Sequence, residues 1–351
     1  MIVSCGAPDT QRRRATILLG DLVTTATDDA HRCARALVAS LDEQQCRLVR
    51  GDLADSSLRQ WSYLPGDRPG LSMEHLTDAQ HALAIDLLRS AHSPDGGDLA
   101  VGAIEIERIR RELATGSPPG GDRYWLRMLG DPDGDKPWGW RINGHHLAVH
   151  VVVTPAGTTF TPHFVGSEPA VVPSGPHAGR RILGPEEDLA RQLVTGLDPD
   201  QRALGISADI APDDILTRAD PVADPELLPE GIGRDLLRPA QQEVLDQLVR
   251  RYLHRAPTPY AQACWRDVQA AGLHRIRFAW AGPTTPGAGH YYCIQAPQFL
   301  IEYDNTQDDA NHAHSVWRHL RDDWGRDLLR DHYARLHTAT SPPPPPRALR
   351  S

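Results

Sequence analysis

Two groups of short apolar and aromatic segments, separated by a stretch of helical texture, limit the fold more than any other feature of this chain. The first group holds YWLRML, WGWRI, HHLAVHVVV and TTFTPHFV; the second holds RIRFAWAG, HYYCIQ, QFLIEYDN and HSVWR. Each segment is rich in β-branched or aromatic residues and is bounded by turn formers such as DPDGDKP, NG and PAG, the signature of antiparallel strands and hairpins. Helical spacing predicts one amphipathic helix over Asp28 to Arg50, a second from Leu76 to Ala91, and a third through LAVGAIEIERIRREL. Thr77 and Gln80 form a capping-box pattern at the start of the second. The Gly/Pro-rich turn Ser117 to Gly121 closes this helical third. Further helices are expected at Leu189 to Leu197, Gln241 to His254, Tyr260 to Ala271 and Asp327 to His337, with an acidic, Pro-rich connection over Pro212 to Gly233.

Strands that stop for a helical block and then resume do not follow the alternation of a doubly wound sheet. The expected class is α+β, with the helical N-terminal third packed on a mainly antiparallel sheet formed by both strand groups. One domain is expected over 28–338, with a helical subregion 28–115 and a sheet-rich part 122–338. An N-terminal extension, 1–27, precedes it, and a disordered Pro-rich tail, 339–351, follows. No repeat of solenoid period is visible.

Composition excludes several classes. A net charge of −9 with no basic stripe argues against nucleic acid. No apolar run approaches the roughly 20 residues needed to cross a bilayer. The five cysteines, Cys5, Cys33, Cys46, Cys264 and Cys293, show no CxxC pair and no framework, which fits a reducing compartment. With no export signal visible at the N-terminus, a cytoplasmic location is expected. Lys136 is the only lysine, a bias of a high-GC, bacterial genome that carries no functional weight. Motifs for dinucleotides, P-loops, nucleophile elbows and HExxH zinc sites are absent.

Chemistry concentrates in HYYCIQAPQFLIEYDNTQDDANHAHSVWR, from His290 to Arg318, together with His145-His146. His312 and His314, if extended, share one face about 6.6 Å apart, close enough to chelate one ion. Strand alternation sets His145 and His146 on opposite faces, so one of the two is the expected ligand, and His290 can complete the set. His146 and His150 lie about 13 Å apart along a strand, too far to share an ion; His150 and His163 are read as surface or structural residues. Glu302 and Asp304 share a face of one strand as an acid/base pair or oxygen donors, although Asp304-Asn305 also reads as a turn opening. Tyr292 is a candidate catalytic residue as hydrogen-bond donor or redox-active neighbour, with simple packing, the commonest fate of an aromatic in a strand, as the alternative. Arg318, Asn305 and Asn311 are the expected substrate-binding residues, and Arg318 has the alternative of neutralising Glu302.

These stretches, with RPGLSMEHLTDAQ, PWGWRINGHHLAVHV, PHAGRRILGPEEDLA and IRFAWAG, resemble the bacterial and fungal proteins of unknown function that carry the DUF3500 domain, over roughly Trp61 to His337. The resemblance implies a shared α+β domain and transfers no reaction. Some members of that family carry export signals, from which this chain departs.

The expected function is a metal-dependent enzyme acting on a polar small molecule, an oxidoreductase with copper or iron at His145, His146, His290, His312 and His314. A zinc hydrolase using Glu302 as base is the alternative. A non-catalytic binder of small molecules is another, and a network that only satisfies buried polar groups is a third. The sequence sets no oligomeric state.

Overall fold

The computed structural model describes residues 28–55, 59–116, 121–155, 157–326 and 329–330. Helices occupy 28–40 (α1), Glu43–Val49 (α2), Asp78–Ser90 (α3), Pro94–Thr115 (α4), Gly184–Thr195 (α5), Pro199–Gly205 (α6), Pro239–Leu253 (α7) and Thr258–Ala271 (α8). Strands are Arg50–Gly51 (β1), Leu71–Ser72 (β2), Tyr124–Leu129 (β3), Trp138–Gly144 (β4), Leu147–Thr154 (β5), Gly157–Thr159 (β6), His163–Ser167 (β7), Ile206–Ala208 (β8), Ile232–Gly233 (β9), Arg277–Ala281 (β10), His290–Gln295 (β11), Phe299–Gln307 (β12) and His312–His319 (β13). The single helix expected over Asp28 to Arg50 is two, because the side chain of Asp42 accepts from Gln45 N and starts α2 afresh. Thr77 and Gln80 make the capping box that their spacing predicts. The turn at 117–120, most of the helix expected at 327–337, the N-terminal extension and the Pro-rich tail lie outside the described residues.

All strands belong to one mixed, mostly antiparallel sheet whose main path runs β1-β3-β4-β5-β7-β13-β12-β11-β10-β8. Among the described residues only β1 with β3 and β8 with β10 pair in parallel. The two strand groups join where β7 lies antiparallel to β13, in the register Ala313↔Ser167, His314↔Gly166, Ser315↔Val165, Val316↔Phe164 and Trp317↔His163. The α+β class and the merging of both groups are as the strand pattern predicts.

The same order of elements occurs twice. A capped short helix (α2, α6) leads to a short strand (β1, β8) parallel to the first long strand of its half, then to a second short strand (β2, β9) antiparallel to it. A 3-10 turn, two long helices (α3 and α4, α7 and α8) and four long strands (β3, β4, β5 and β7; β10 to β13) follow in each half. A pair of glutamines repeats to the atom. Gln45 Nε2 donates to His75 O at 2.9 Å and Gln201 Nε2 donates to Leu236 O at 2.9 Å. Each also donates at 3.0 Å to a partner amide, Gln80 in one half and Gln241 in the other. Those partners donate at 2.7 Å to Ser40 O and Gly196 O respectively. Gly70 and Gly231, which open the short strands β2 and β9, have positive φ, and an added Cβ would lie 2.4 Å from Leu126 O or 2.2 Å from Phe278 O. The two halves of the described chain thus repeat one architecture. Its two copies agree mainly at such positions (GL and AQ in GLSMEHLTDAQ, GI and AQ in GIGRDLLRPAQ), so the spacing of apolar residues does not betray it.

One face of the sheet is covered by helices over a core that includes Leu87, Leu88, Ala103, Leu245, Val249, Trp140, Ile301 and Trp317. The opposite face is covered by the loops that follow β1 and β8: Trp61 and Tyr63 from the first, and Ile215 from the second, pack on Ala148, Phe164 and Val316. The second loop is fastened by Glu302, whose buried carboxylate accepts from Leu216 N at 2.6 Å, Thr217 N at 3.2 Å, the Thr217 hydroxyl, and Tyr291 OH at 2.8 Å. Arg318 ties both loops. It donates to Asp323 at 2.6 Å and to Asp220 O at 3.0 Å, and its guanidinium lies 5.7 Å from the Trp61 ring centre.

Three histidines are built into this scaffold in neutral form. His92 Nδ1 donates to Leu88 O, so its Nε2 is the acceptor from His163 Nε2 at 3.0 Å. His150 donates to Pro162 O. Burial pushes His92 down to about 4, His150 down to about 3, and His163 well below its ordinary value. The unfolded chain therefore binds protons that the folded chain refuses once the pH is below the ordinary histidine value. Stability complete above about pH 6.5 should fall at roughly 1.4 kcal/mol per pH unit for each such histidine. The loss runs from about pH 6.5 down toward 4. Urea unfolding at pH 7.5 and 5.0 reads this directly, and equal stabilities at the two values would contradict neutral burial.

Candidate metal centre

The β4–β5 hairpin turns at His145-His146, not at Asn143-Gly144, which continue β4. Strand alternation therefore does not apply to the two histidines, and both rings face the same region, with centroids 3.6 Å apart. His146 has φ 62, a left-handed conformation uncommon outside glycine. Its N–H donates to Tyr63 O and its carbonyl accepts from Gly166 N, which hold it there. Gly166 has to be glycine for the ring to fit, since a Cβ would meet His146 Cδ2 at 2.6 Å. Opposite Gly166 in the β7–β13 ladder stands His314, and His312 shares its face with a ring separation of 4.8 Å, as the H-x-H spacing predicts.

His145, His146, His312 and Glu168 bring one donor atom each to within 4.8 Å of one another, a group that can hold a metal ion. His146 Nε2 and His312 Nε2 are 2.8 Å apart. Three of the imidazoles in this region are fixed from behind by carboxylates: His145 Nδ1 by Glu107, His312 Nδ1 by Asp308 and His314 Nδ1 by Asp214, each at 2.8 Å. A carboxylate only accepts, so Nδ1 carries the proton and the lone pair of each neutral ring is on Nε2. This is the outer-shell arrangement that orients histidine ligands and raises their basicity. Burial, then neighbouring imidazoles, pushes His146 well below its ordinary value; burial and His314 do the same for His312. Both are neutral at pH 7, the form that binds metals. Burial alone would raise Glu107 and Asp214. Hydrogen bonds from His145 and Arg110 on the first, and from His314 and Tyr63 on the second, outweigh it and hold both below their ordinary values.

A second group, Asp214, Asp304 and His314, adjoins the first, with the His314 ring 5.3 Å from that of His146. Tyr63 OH donates to the other oxygen of Asp214 at 2.8 Å, and the Tyr63 ring lies 4.9 Å from His314. Asp304 is buried, accepts from Thr306, and is pushed up to about 8 by that burial. A pocket of about 320 Å³, lined by Arg110, Leu113, Pro169, Asp308 and Asn311 among others, opens beside Glu168.

Other residues singled out in the sequence lie elsewhere. His290 is stacked on Trp280 and bonded to Ala288 O, and its nearest carboxylate is Glu187 at 3.9 Å. Tyr292 is on the helix face, bonded to Tyr252 OH and Glu186 O. Glu302 and Arg318 fasten the covering loops. Asn305 accepts from His312 N, and Asn311 accepts from Val171 N at the edge of the pocket. Glu107, Glu168, Asp214, Asp308 and Tyr63 have no local motif, and only the folded sheet and its loops bring them to the histidines.

Gly166→Ala should lower stability by roughly 1–3 kcal/mol, the range of overpacking, and move His146. An unchanged melting temperature would show that the ring does not need that space.

The DUF3500 family, described as protein of unknown function, matches the chain over residues 24–326, and the chain belongs to it. No curated protein and no solved structure matches it.

Proposed function

We propose that this DUF3500 protein is a metal-dependent enzyme, an oxidoreductase using iron or copper on a polar small molecule. The observation that carries the reading is the convergence of three imidazoles and Glu168 on one point, with His145 and His312 locked by their own carboxylates. His145 and His312 turn Nε2 toward Glu168 and His146 respectively, so the nitrogen donors converge on one shared space. Nitrogen-rich sets with one carboxylate and no thiolate suit iron and copper and also zinc. Oxidation is favoured by Tyr63, a phenol that reaches His314 through Asp214 and can supply an electron with its proton. The pocket beside Glu168 gives the substrate its approach: Leu113, Pro169 and Pro173 form an apolar wall, while Arg110 and Asn311 offer polar contacts.

A zinc hydrolase is the second reading, favoured by Asp304. Burial pushes its carboxyl up to about 8, and a cation bound beside it would lower that value toward the range of a general base at neutral pH.

The test is elemental analysis of the full chain purified without a histidine tag, followed by reconstitution of chelator-treated protein. Stoichiometric iron or copper with a redox-dependent absorption change supports the first reading. Zinc alone, with no uptake of iron or copper, turns it to the second, and failure to take up any metal overturns both. His312→Ala should abolish uptake at the His145/His146/Glu168 group. Glu107→Gln, which keeps a hydrogen bond but removes the charge behind His145, should weaken metal affinity about 10–100-fold.

A further inference from the structure

We propose that the centre is dinuclear, with Asp214, Asp304 and His314 holding a second divalent cation beside the one at His145, His146, His312 and Glu168. The inference rests on the metal reading above and extends it.

The donor atoms of Asp214, Asp304 and His314 lie within 4.8 Å of one another, and a cation there takes the place of the proton that His314 Nδ1 otherwise shares with Asp214, leaving His314 as its Nε2–H tautomer. Three separate structural devices bring them together. Asp304 and His314 are direct cross-strand partners in the β12–β13 ladder, so their spacing is set by the sheet. Asp214 arrives on the loop after β8, and the Glu302 carboxylate fastens that loop two and three residues further on, at Leu216 and Thr217. Tyr63 from the other covering loop holds the remaining side of Asp214.

Charge gives an independent reason. Asp304 is fully buried, and among the described residues it forms no ion pair with an arginine, lysine or histidine; its partners are the Thr306 amide and hydroxyl. Asp214, largely buried as well, has only His314 as a cationic partner among the described residues. Two ionised carboxylates facing one imidazole in a water-poor site are costly, and the cost is relieved either by a proton on one of them or by a cation between them. Other buried acids, such as Asp122 and Asp246, have arginine partners in Arg108 and Arg234, whereas Asp304 and Glu302 have none among the described residues.

The His312 and His314 rings, 4.8 Å apart, place the two positions as neighbours, on the scale of paired-metal sites whose ions act on one substrate together. The donor chemistries differ. The first position is nitrogen-rich, whereas the second, with two carboxylates and one imidazole, favours a harder ion such as manganese(II), iron(II) or zinc.

The experiment is titration of the chelator-treated full chain with cobalt(II), followed by absorption and by equilibrium dialysis with metal quantitation. Wild type should bind two equivalents, and Asp304→Asn, nearly isosteric, should bind one while keeping the nitrogen-rich site. Manganese(II)-loaded wild type should show an exchange-coupled resonance that the variant lacks. One equivalent in wild type, or two in Asp304→Asn, overturns the dinuclear proposal and leaves Asp214 as a positioning residue for His314, with the metal reading intact. Zero equivalents overturns the metal reading itself. If Asp304→Asn does not fold by circular dichroism, the wild-type stoichiometry and exchange coupling decide alone.

Discussion

Five residue pairs between β7 and β13 hold the molecule together as one sheet. Every other neighbour on the main sheet path belongs to the same half as its partner, so without this pairing there would be two small sheets and no metal-binding group. The pairing also sets distances. It puts His314 across from Gly166, and the missing side chain at Gly166 is the space that the His146 ring leans into. A slip of one residue would turn His312 and His314 to the helix face and bring Ala313 in their place.

Around that seam, polar burial is arranged in layers. Imidazoles face inward, carboxylates stand behind them, and arginines such as Arg110 stand behind Glu107. The loops after β1 and β8 meet over the seam through the Tyr63–Asp214 hydrogen bond. Glu302, buried among four donors, does for the second loop what a disulfide might do elsewhere: it fixes a long, Pro-rich connection to a rigid strand. Burial raises its carboxyl even with all four hydrogen bonds, which marks how dry this face of the sheet is.

The strand groups, most helices and the H-x-H face were legible from periodicity because they depend on local spacing. The His145-His146 turn was not, because the Asn143-Gly144 pair is the stronger local turn former and only the fit against Gly166 and Tyr63 moves the turn onward. His290 and Tyr292 looked like members of the site from their nearness in sequence, yet the alternation of β11 turns them toward the helices. The carboxylates behind the histidines come from α4, the loop after β8 and the β12–β13 turn, positions separated by up to two hundred residues, and no spacing rule connects them. The repeat of the two halves is not legible in the sequence because they share hydrogen-bond geometry far more than residue identity.

The paired glutamines have a consequence for how such a chain reaches its fold. Gln45 with Gln80 and Gln201 with Gln241 are interchangeable clasps: each closes a loop of similar length onto a similar helix start. A chain with two such clasps offers each glutamine, while unfolded, a non-native partner as well as its native one. Tandem copies of this kind are prone to exchange segments between halves or between molecules, so the divergence of the two copies everywhere outside the clasps guards against mispairing.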